Sequence, residues 1–161
     1  MYKTNNKCQS DTTIVSFIHH INTTVLIYSV WEEEIIMLGD KDAAANIAVK
    51  DLETARKFYE GILGLKKIGS EGQEVIVYKS GNSTVIVYQS QYAGTNQATA
   101  VTWGVDEDIE GVVERLKDKG VRFEHYDMPN TKLEKDIHVD GNMKVAWFKD
   151  PDGNILNLIN E

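Results

Sequence analysis

Cysteine is nearly absent from this 161-residue chain, and its scarcity excludes several kinds of site. Cys8 is the only one, so an intrachain disulfide, a Cys-x-x-Cys redox pair and a zinc knuckle are all impossible. A chain without a disulfide suits a reducing compartment, and we therefore expect a cytoplasmic protein.

Positive charge and long apolar runs are also scarce. The chain has 17 basic and 25 acidic residues, a net charge of −8, and no basic cluster. Nucleic acids and anionic membranes require a basic face, so neither is an expected partner. The most apolar stretch, 14–30, is interrupted by histidine, asparagine and threonine, and it predicts neither a membrane span nor a secretion signal.

Residues 1–42 are predicted to be an atypical N-terminal extension, because they carry few clear structural signals. His19 and His20 are adjacent, and neighbours on a strand point to opposite faces, so they do not predict a metal site. Three glutamates shortly before Met37 are what a translated ribosome-binding site would give, and we hypothesise that Met37 is the natural initiator. A chain starting at Met37 is then expected to be soluble and about as stable as the full chain.

The remaining chain, 43–161, contains a repeat. Residues 46–66 read NIAVKDLETARKFYEGILGLK, and residues 102–122 read TWGVDEDIEGVVERLKDKGVR. Each half predicts a short strand, an N-cap at Asp51 or Asp108, a helix with an apolar stripe, and a glycine that ends the helix. The predicted stripes are Leu52, Ala55, Phe58, Tyr59 and Ile62 in the first helix and Ile109, Val112, Val113 and Leu116 in the second.

A hairpin follows in each half, EVIVYKSGNSTVIVYQ at 74–89 and KVAWFKDPDGNILNLIN at 144–160. The predicted strands are 43–49, 65–69, 73–80, 83–89, 99–105, 121–125, 143–148 and 154–160. The fold class predicted is α+β: two tandem βαβββ modules, 43–90 and 98–161, which form a single domain with a curved mixed sheet around a concave cavity. A concave apolar face with a few polar groups is the usual form of a ligand site.

These segments resemble the vicinal oxygen chelate superfamily of glyoxalases, bleomycin-resistance proteins and extradiol dioxygenases. The resemblance covers about 43–161 and is carried by AVKDLETARKFYEGILGL at 48–65, by Gly120-Val121 with FEHYDMP at 123–129, and by AWFKDPDGNILNL at 146–158. It implies the same paired βαβββ fold. In metal-dependent members, a His or Gln that begins a first strand and a Glu on a last strand hold a divalent ion, which chelates two substrate oxygens.

Carried over to this chain, the four ligand positions fall on Ala44, Ile86, Ala100 and Asn157. Alkyl groups have no lone pair to donate, and a neutral amide is a weak ligand. The resemblance therefore implies a member with no metal and no other cofactor. We expect Asn157 to face the cavity and hydrogen-bond a ligand; the alternative is an amide satisfied by neighbouring backbone.

Other candidate sites have less support. His125, Asp127, Asp136 and His138 lie in or beside a predicted loop, 126–141, where solvated side chains are expected rather than a metal site. The sequence has no nucleophile-elbow pattern and no Gly-rich phosphate loop.

Three functions remain open: a metal-free protein that binds a small planar or aromatic molecule, a glyoxalase- or dioxygenase-type enzyme (a lyase or oxidoreductase) with misassigned ligands, and a non-catalytic structural or regulatory module. Edge strands would also permit a homodimer. For the first function, strand alternation and the stacking capacity of Tyr and Trp select the ligand-binding candidates Asn46, Ile86, Tyr88, Thr102, Tyr126, Trp147 and Asn157.

Overall fold

The structure is a computed structural model that describes residues 38–106 and 108–160. The predicted extension therefore lies almost entirely outside the described residues, and the hypothesis about Met37 stays a prediction. A short 3-10 turn, Leu38–Asp40, precedes the first strand.

The first module is a four-stranded sheet with one helix. Its elements are β1 (Ala44–Val49), α1 (Leu52–Arg56, continuing as a wider π-helical stretch, Lys57–Ile62), β2 (Lys66–Glu71), β3 (Val75–Ser80) and β4 (Ser83–Gln89). The strand order is β1-β4-β3-β2, with β1 parallel to β4 and the other pairs antiparallel. Strand β1 is therefore an edge strand of this sheet.

The second module repeats this topology and adds a hairpin. Its elements are β5 (Thr99–Gly104), α2 (Ile109–Asp118), β6 (Phe123–Glu124), β7 (Lys132–Glu134), β8 (Ile137–Asp140), β9 (Met143–Lys149) and β10 (Ile155–Ile159). The strand order is β5-β10-β9-β8-β7, with β6 paired to the other end of β9. Strand β5 is parallel to β10, as β1 is to β4.

The predicted α+β class and the tandem modules are confirmed, but the predicted loop at 126–141 is wrong. The added hairpin, β7 with β8, occupies much of it. The error has a physical reason: Gly141-Asn142 forms the tight turn between β8, which ends at Asp140, and β9, with Gly141 at φ 58°. A two-residue Gly-Asn turn between apolar runs is a hairpin signal in its own right.

Three of the four residues predicted to begin or end a helix do so in the structure. Asp51 accepts a hydrogen bond from the Thr54 amide at 2.7 Å, and Gly64 and Gly120 follow the helices at φ 74° and 90°. The predicted cap at Asp108 is wrong, since its side chain makes no capping bond. Its carboxylate instead accepts from Arg115 at 2.9 Å.

The core lies between the helices and one face of each sheet. The predicted helix stripes supply Ala55, Phe58, Tyr59, Ile109, Val113 and Leu116 as buried residues. Alternate strand residues complete the core, among them Val85, Val87, Leu156 and Leu158. Because side chains alternate along a strand, the residues between them, such as Ile86 and Asn157, lie on the opposite face of each sheet.

A buried carboxylate ties the two modules together. Asp150, in the turn before β10, accepts hydrogen bonds from the Tyr59 hydroxyl at 2.7 Å and from the Asn154 side chain at 2.7 Å. The Asn154 amide group also donates to the Ala48 carbonyl of β1 at 2.9 Å. Burial, together with the nearby Asp150 carboxylate, raises the pKa of Tyr59 far above its usual range, so this hydroxyl stays a donor.

Candidate functional site

The seven residues predicted to bind a ligand lie on two separate sheets. Asn46, Ile86 and Tyr88 belong to strands of the first module, whereas Thr102, Trp147 and Asn157 belong to strands of the second and Tyr126 follows β6. In register, Asn46 faces Ile86 across β1 and β4, and Thr102 faces Asn157 across β5 and β10. The two pairs therefore occupy equivalent rows of the two modules.

On the first module, the side chains of Asn46, Ile86 and Tyr88 are at least partly accessible to solvent and make few hydrogen bonds. Asn46 is exposed, and its amide donates to the Ala44 carbonyl of its own strand at 3.2 Å. Ile86 is half-buried, and Tyr88 lies two residues further along β4 with its ring partly exposed. Ile86 and the Tyr88 ring supply apolar surface on this face, and the Asn46 amide is bonded to the backbone of its own strand.

A cleft of about 640 Å³ lies along the edge strands β1 and β5 and the β3–β4 turn. Ala44, Ala100 and Thr102 are part of its lining. At the turn, the Trp103 indole N–H donates to the Ser80 hydroxyl at 2.9 Å. Two of the four positions that correspond to the superfamily's metal ligands, Ala44 and Ala100, therefore line this cleft.

The residues at those four positions do not fit a metal ion. Ala44, Ala100 and Ile86 have hydrocarbon side chains, which leaves the Asn157 amide as the one side-chain donor of the set. Within 38–106 and 108–160, no group of three or more His, Cys, Asp or Glu side chains is arranged to hold an ion.

Three residues form one row across the second sheet, on the face away from the core. Thr102, Asn157 and Trp147 lie side by side on β5, β10 and β9. The next residue along the row is Glu124 of β6, whose carboxylate is bonded to the Lys149 ammonium at 2.8 Å. That pair neutralises the charge at this end of the row.

The Trp147 indole dominates this face. Its N–H donates to the Thr99 hydroxyl at 3.3 Å, so the ring reaches from β9 past β10 to β5. Tyr126 and His138 contact the ring edge-to-face, with centroid distances of 5.5 and 5.1 Å. A recess of about 300 Å³ beside this cluster is lined by Gln97, Ala98, Thr99, Tyr126, Met128, Trp147 and Ile155.

Asn157 is a buried amide on this face. Its side chain is 9% exposed, and its Oδ1 atom is fully buried with no hydrogen-bond partner among the described residues. Its neighbours Leu156 and Leu158 belong to the core. A buried carbonyl oxygen without a partner costs free energy, so Asn157 is a position where a donor from a ligand would be favourable.

His138 is a buried residue that the sequence reasoning placed in a solvated loop, and that placement is wrong. It lies on β8 opposite Val145 and is 2% exposed. Its Nε2 atom is 3.0 Å from the Tyr126 amide nitrogen and 2.9 Å from the Tyr126 carbonyl oxygen, whereas Nδ1 is buried without a partner among the described residues. The alternation of Ile137-His138-Val139 before the Gly141-Asn142 turn is the signal for this strand.

The other three polar residues of this region lie near the surface. Asp127 and His125 are exposed, and Asp136 is partly buried. Asp136 is bonded to the Lys117 ammonium at 2.7 Å and to the His125 ring at 2.9 Å. The Lys117 bond first, and the His125 bond second, lower the pKa of the Asp136 carboxyl below its ordinary value. This cluster attaches the added hairpin to α2.

Paired βαβββ modules, each with an open sheet face opposite a helix-covered core, define a class of small α+β proteins. Residues 42–158 match the sequence profile of the Glyoxalase/Bleomycin resistance protein/Dioxygenase superfamily, and the chain belongs to that family. A search of curated protein sequences gave no match.

Solved structures support the same fold. A glyoxalase family protein from Enterococcus faecalis has a TM-score of 0.60 at 18% identity, with 77% of this chain and 100% of that chain covered. The fosfomycin resistance protein FosX from Mesorhizobium loti has a TM-score of 0.56 at 14% identity, with 76% and 92% covered. A superfamily member from Sphaerobacter thermophilus has a TM-score of 0.57 at 21% identity, with 78% and 100% covered. At these identities the likeness establishes the fold alone.

Among the described residues, the helices are too short and too polar to traverse a lipid bilayer.

Proposed function

We propose that this protein binds a small planar or aromatic molecule on the open face of the second sheet, without a metal ion. Trp147 and Tyr126 supply flat apolar surfaces that also carry a polar end, a combination suited to planar ligands. Thr102 and Asn157 continue the same face. On the first module, Ile86 and Tyr88 supply apolar area, and Asn46 adds an exposed amide. The cytoplasmic location and the permitted homodimer belong to the same proposal.

The observation that carries this proposal is the unpaired, fully buried Oδ1 of Asn157. Buried polar atoms in native proteins are nearly always hydrogen-bonded, so an unpaired one requires an explanation. Among the described residues, no backbone N–H donates to this oxygen, which supports a ligand partner over the alternative of an amide satisfied by neighbouring backbone. A ligand that donates a hydrogen bond to Asn157 accounts for a polar residue between two core leucines.

Metal-free binding is supported by the hydrocarbon side chains at Ala44, Ile86 and Ala100. Elemental analysis of purified protein after dialysis against a weak chelator is expected to find no divalent ion in stoichiometric amount. One ion per chain, released by Asn157→Ala, would contradict the proposal. The FosX neighbours are named for fosfomycin resistance, and no observation in the described chain favours an enzymatic reaction over binding.

The binding experiment is a thermal-shift screen of planar aromatic compounds, with titration calorimetry of the hits. A ligand that binds only the native state at one hundred times its Kd stabilises it by about 2.7 kcal/mol, which raises Tm. Trp147→Leu is expected to weaken binding of the hits at least tenfold. Tyr92→Leu, at an exposed aromatic residue outside the two faces, is the matched control and should leave affinity unchanged.

Two results would contradict the proposal. One is a panel in which no compound raises Tm, which would favour a structural or regulatory module instead. The other is a set of hits that Trp147→Leu binds as tightly as the unchanged protein does.

A further inference from the structure

Two cavities meet between the modules, away from the row of Asn157 and Trp147. The first is the cleft of about 640 Å³ along the edge strands β1 and β5 and the β3–β4 turn. The second, here called the apolar pocket, has a volume of about 230 Å³ and lies against α2 and the core. Three residues line both cavities, so the two adjoin at one place: Ser80, Trp103 and Gly104.

The apolar pocket is lined mainly by hydrocarbon and aromatic side chains. Leu116, Phe148 and Leu158 belong to the core. Val112 of α2 and Leu65, just before β2, are half-buried residues of the same lining. An apolar cavity of about 150 Å³ can hold a benzene ring. The apolar pocket therefore has room for an alkyl chain of about six carbons.

The cleft has a different chemistry. Its polar side chains are uncharged and can both donate and accept hydrogen bonds: Ser80, Asn82, Ser83, Thr84 and Thr102. Strands β1 and β5 add backbone N–H and C=O groups, because each lies at the edge of its sheet. Of the described residues, none that lines either cavity carries a charge. A charged group would be desolvated here without an opposite charge, whereas a hydroxyl group meets both donors and acceptors.

Trp103 and Ser80 mark the boundary between the two cavities. The Trp103 ring is stacked with Phe148 of the apolar pocket, at a centroid distance of 6.4 Å and an interplanar angle of 24°. Its indole N–H donates to the Ser80 hydroxyl at 2.9 Å. The Ser80 hydroxyl accepts that bond and still has a proton to donate. The lining therefore changes from apolar to polar across one hydrogen-bonded pair.

We propose that the cleft and the apolar pocket form one two-part site for an uncharged amphiphile, with a hydroxyl-bearing head in the cleft and a short alkyl chain in the pocket. The volume of the cleft lies within the range of small-molecule sites and accommodates a sugar ring. This site does not rest on the proposed aromatic site of the second sheet. Of the seven residues predicted to bind a ligand, it includes Thr102 alone.

The first test uses three matched probes with the full chain, by titration calorimetry at neutral pH. Hexyl glucoside has both parts, methyl glucoside has the head without the chain, and hexanol has the chain without the sugar. Hexyl glucoside is expected to bind at least roughly tenfold more tightly than either, since burial of two methylene groups alone gives about that factor. If hexyl glucoside bound no more tightly than methyl glucoside, or no more tightly than hexanol, the two-part site would be overturned.

The second test fills the apolar pocket. Val112→Phe should weaken binding of hexyl glucoside at least roughly tenfold and leave methyl glucoside unchanged, because it removes the space for the chain. Val77→Phe, the same change at a half-buried residue of β3 outside both cavities, is the control and should retain the affinity. Leu65→Phe fills the pocket from the first module and replaces Val112→Phe if that variant does not fold.

Circular dichroism identifies the folded variants. Unchanged affinity for hexyl glucoside in a folded Val112→Phe or Leu65→Phe protein would overturn the proposal, and so would an equal loss in Val77→Phe. The screen of planar aromatic compounds with Trp147→Leu decides the proposed function separately, so failure of one proposal leaves the other standing.

Discussion

The two modules share one topology, yet their open faces differ. In the first, the central row pairs Asn46, an exposed residue, with Ile86. In the second, the equivalent row pairs Thr102 with Asn157, and an indole covers it. The two modules therefore have the same backbone topology but different side chains on their open faces. Most of the polar side chains that could bind a ligand lie on the second sheet.

The turns between the last two strands of each module also differ. The second module has the buried Asp150, which accepts from Tyr59, Asn154 and the backbone amide of Asp152. The equivalent turn of the first module has Ser80, which accepts one bond from Trp103. Each turn contacts the opposite module, but one does so through a network and the other through a single bond.

The largest effect is expected at the Asp150 turn. Asp150→Ala leaves several buried donors unpaired, and we expect it to lower the free energy of unfolding by about 3–5 kcal/mol. Denaturation in urea measures this. Asp140→Ala, at the exposed end of β8, is the control and should change stability by less than about 0.5 kcal/mol. Similar small losses for both variants would show that the network adds little.

A smaller effect is expected at the turn of the first module. Ser80→Ala removes the acceptor of the partly buried Trp103 indole N–H, and we expect a loss of about 1 kcal/mol. Ser83→Ala, three residues away at an exposed position, should be close to neutral. If Ser80→Ala costs as much as Asp150→Ala, the two turns are energetically alike and the contrast fails.

The stabilisation that Asp136 provides in the added hairpin is expected to depend on pH. The pKa of Asp136 is lowered from 3.8 in the folded protein, chiefly by Lys117. The folded state therefore holds this proton more weakly than the unfolded state, and the stabilisation is present above pH 3.8 and lost as pH falls through the folded pKa. Asp136→Asn should cost about 0.5–1 kcal/mol at neutral pH, the scale of a partly exposed pair.

The check is a series of urea denaturations from neutral pH to below pH 3.8. The unchanged protein should lose more stability over this range than Asp136→Asn, and the exposed Asp127→Asn should follow the unchanged protein. If the free energy of unfolding of Asp136→Asn and of the unchanged protein changed with pH in the same way, the ion pair between Asp136 and Lys117 of α2 would not stabilise the fold.

Much of the fold followed from the sequence because its signals are local. The apolar stripes, the Asp51 cap, the two helix-ending glycines and the paired hairpins all depend on residues a few positions apart. Strand alternation likewise separated Asn157 from Leu156 and Leu158, which lie in the core. The repeat of strand, helix and hairpin in both halves predicted the tandem modules, and the resemblance to the superfamily implied the same fold.

The errors had different causes. Asp108 lies at the N-cap position, one residue before α2, but its carboxylate pairs with Arg115 rather than with a backbone amide of the first turn. Sequence spacing alone does not decide between these two partners. The predicted loop conceals the hairpin of β7 and β8 because both strands are short and the Gly141-Asn142 turn after β8 lies at the end of that loop. That error concealed His138, whose burial depends on contacts with Tyr126 and Trp147 rather than on its sequence neighbours.

The central claim is that the polar row of the second module serves a ligand rather than the fold, and Asn157→Leu tests it most directly. A leucine at this position removes the buried oxygen that has no partner among the described residues and adds an apolar side chain to the sheet face. The free energy of unfolding without ligand should therefore stay level or rise slightly. Affinity for a ligand found by screening should fall by about 1–3 kcal/mol. Tyr92→Leu, at an exposed residue outside both faces, is the control and should retain that affinity. A loss of about 2 kcal/mol in stability with affinity intact would identify Asn157 as a structural amide and contradict the account.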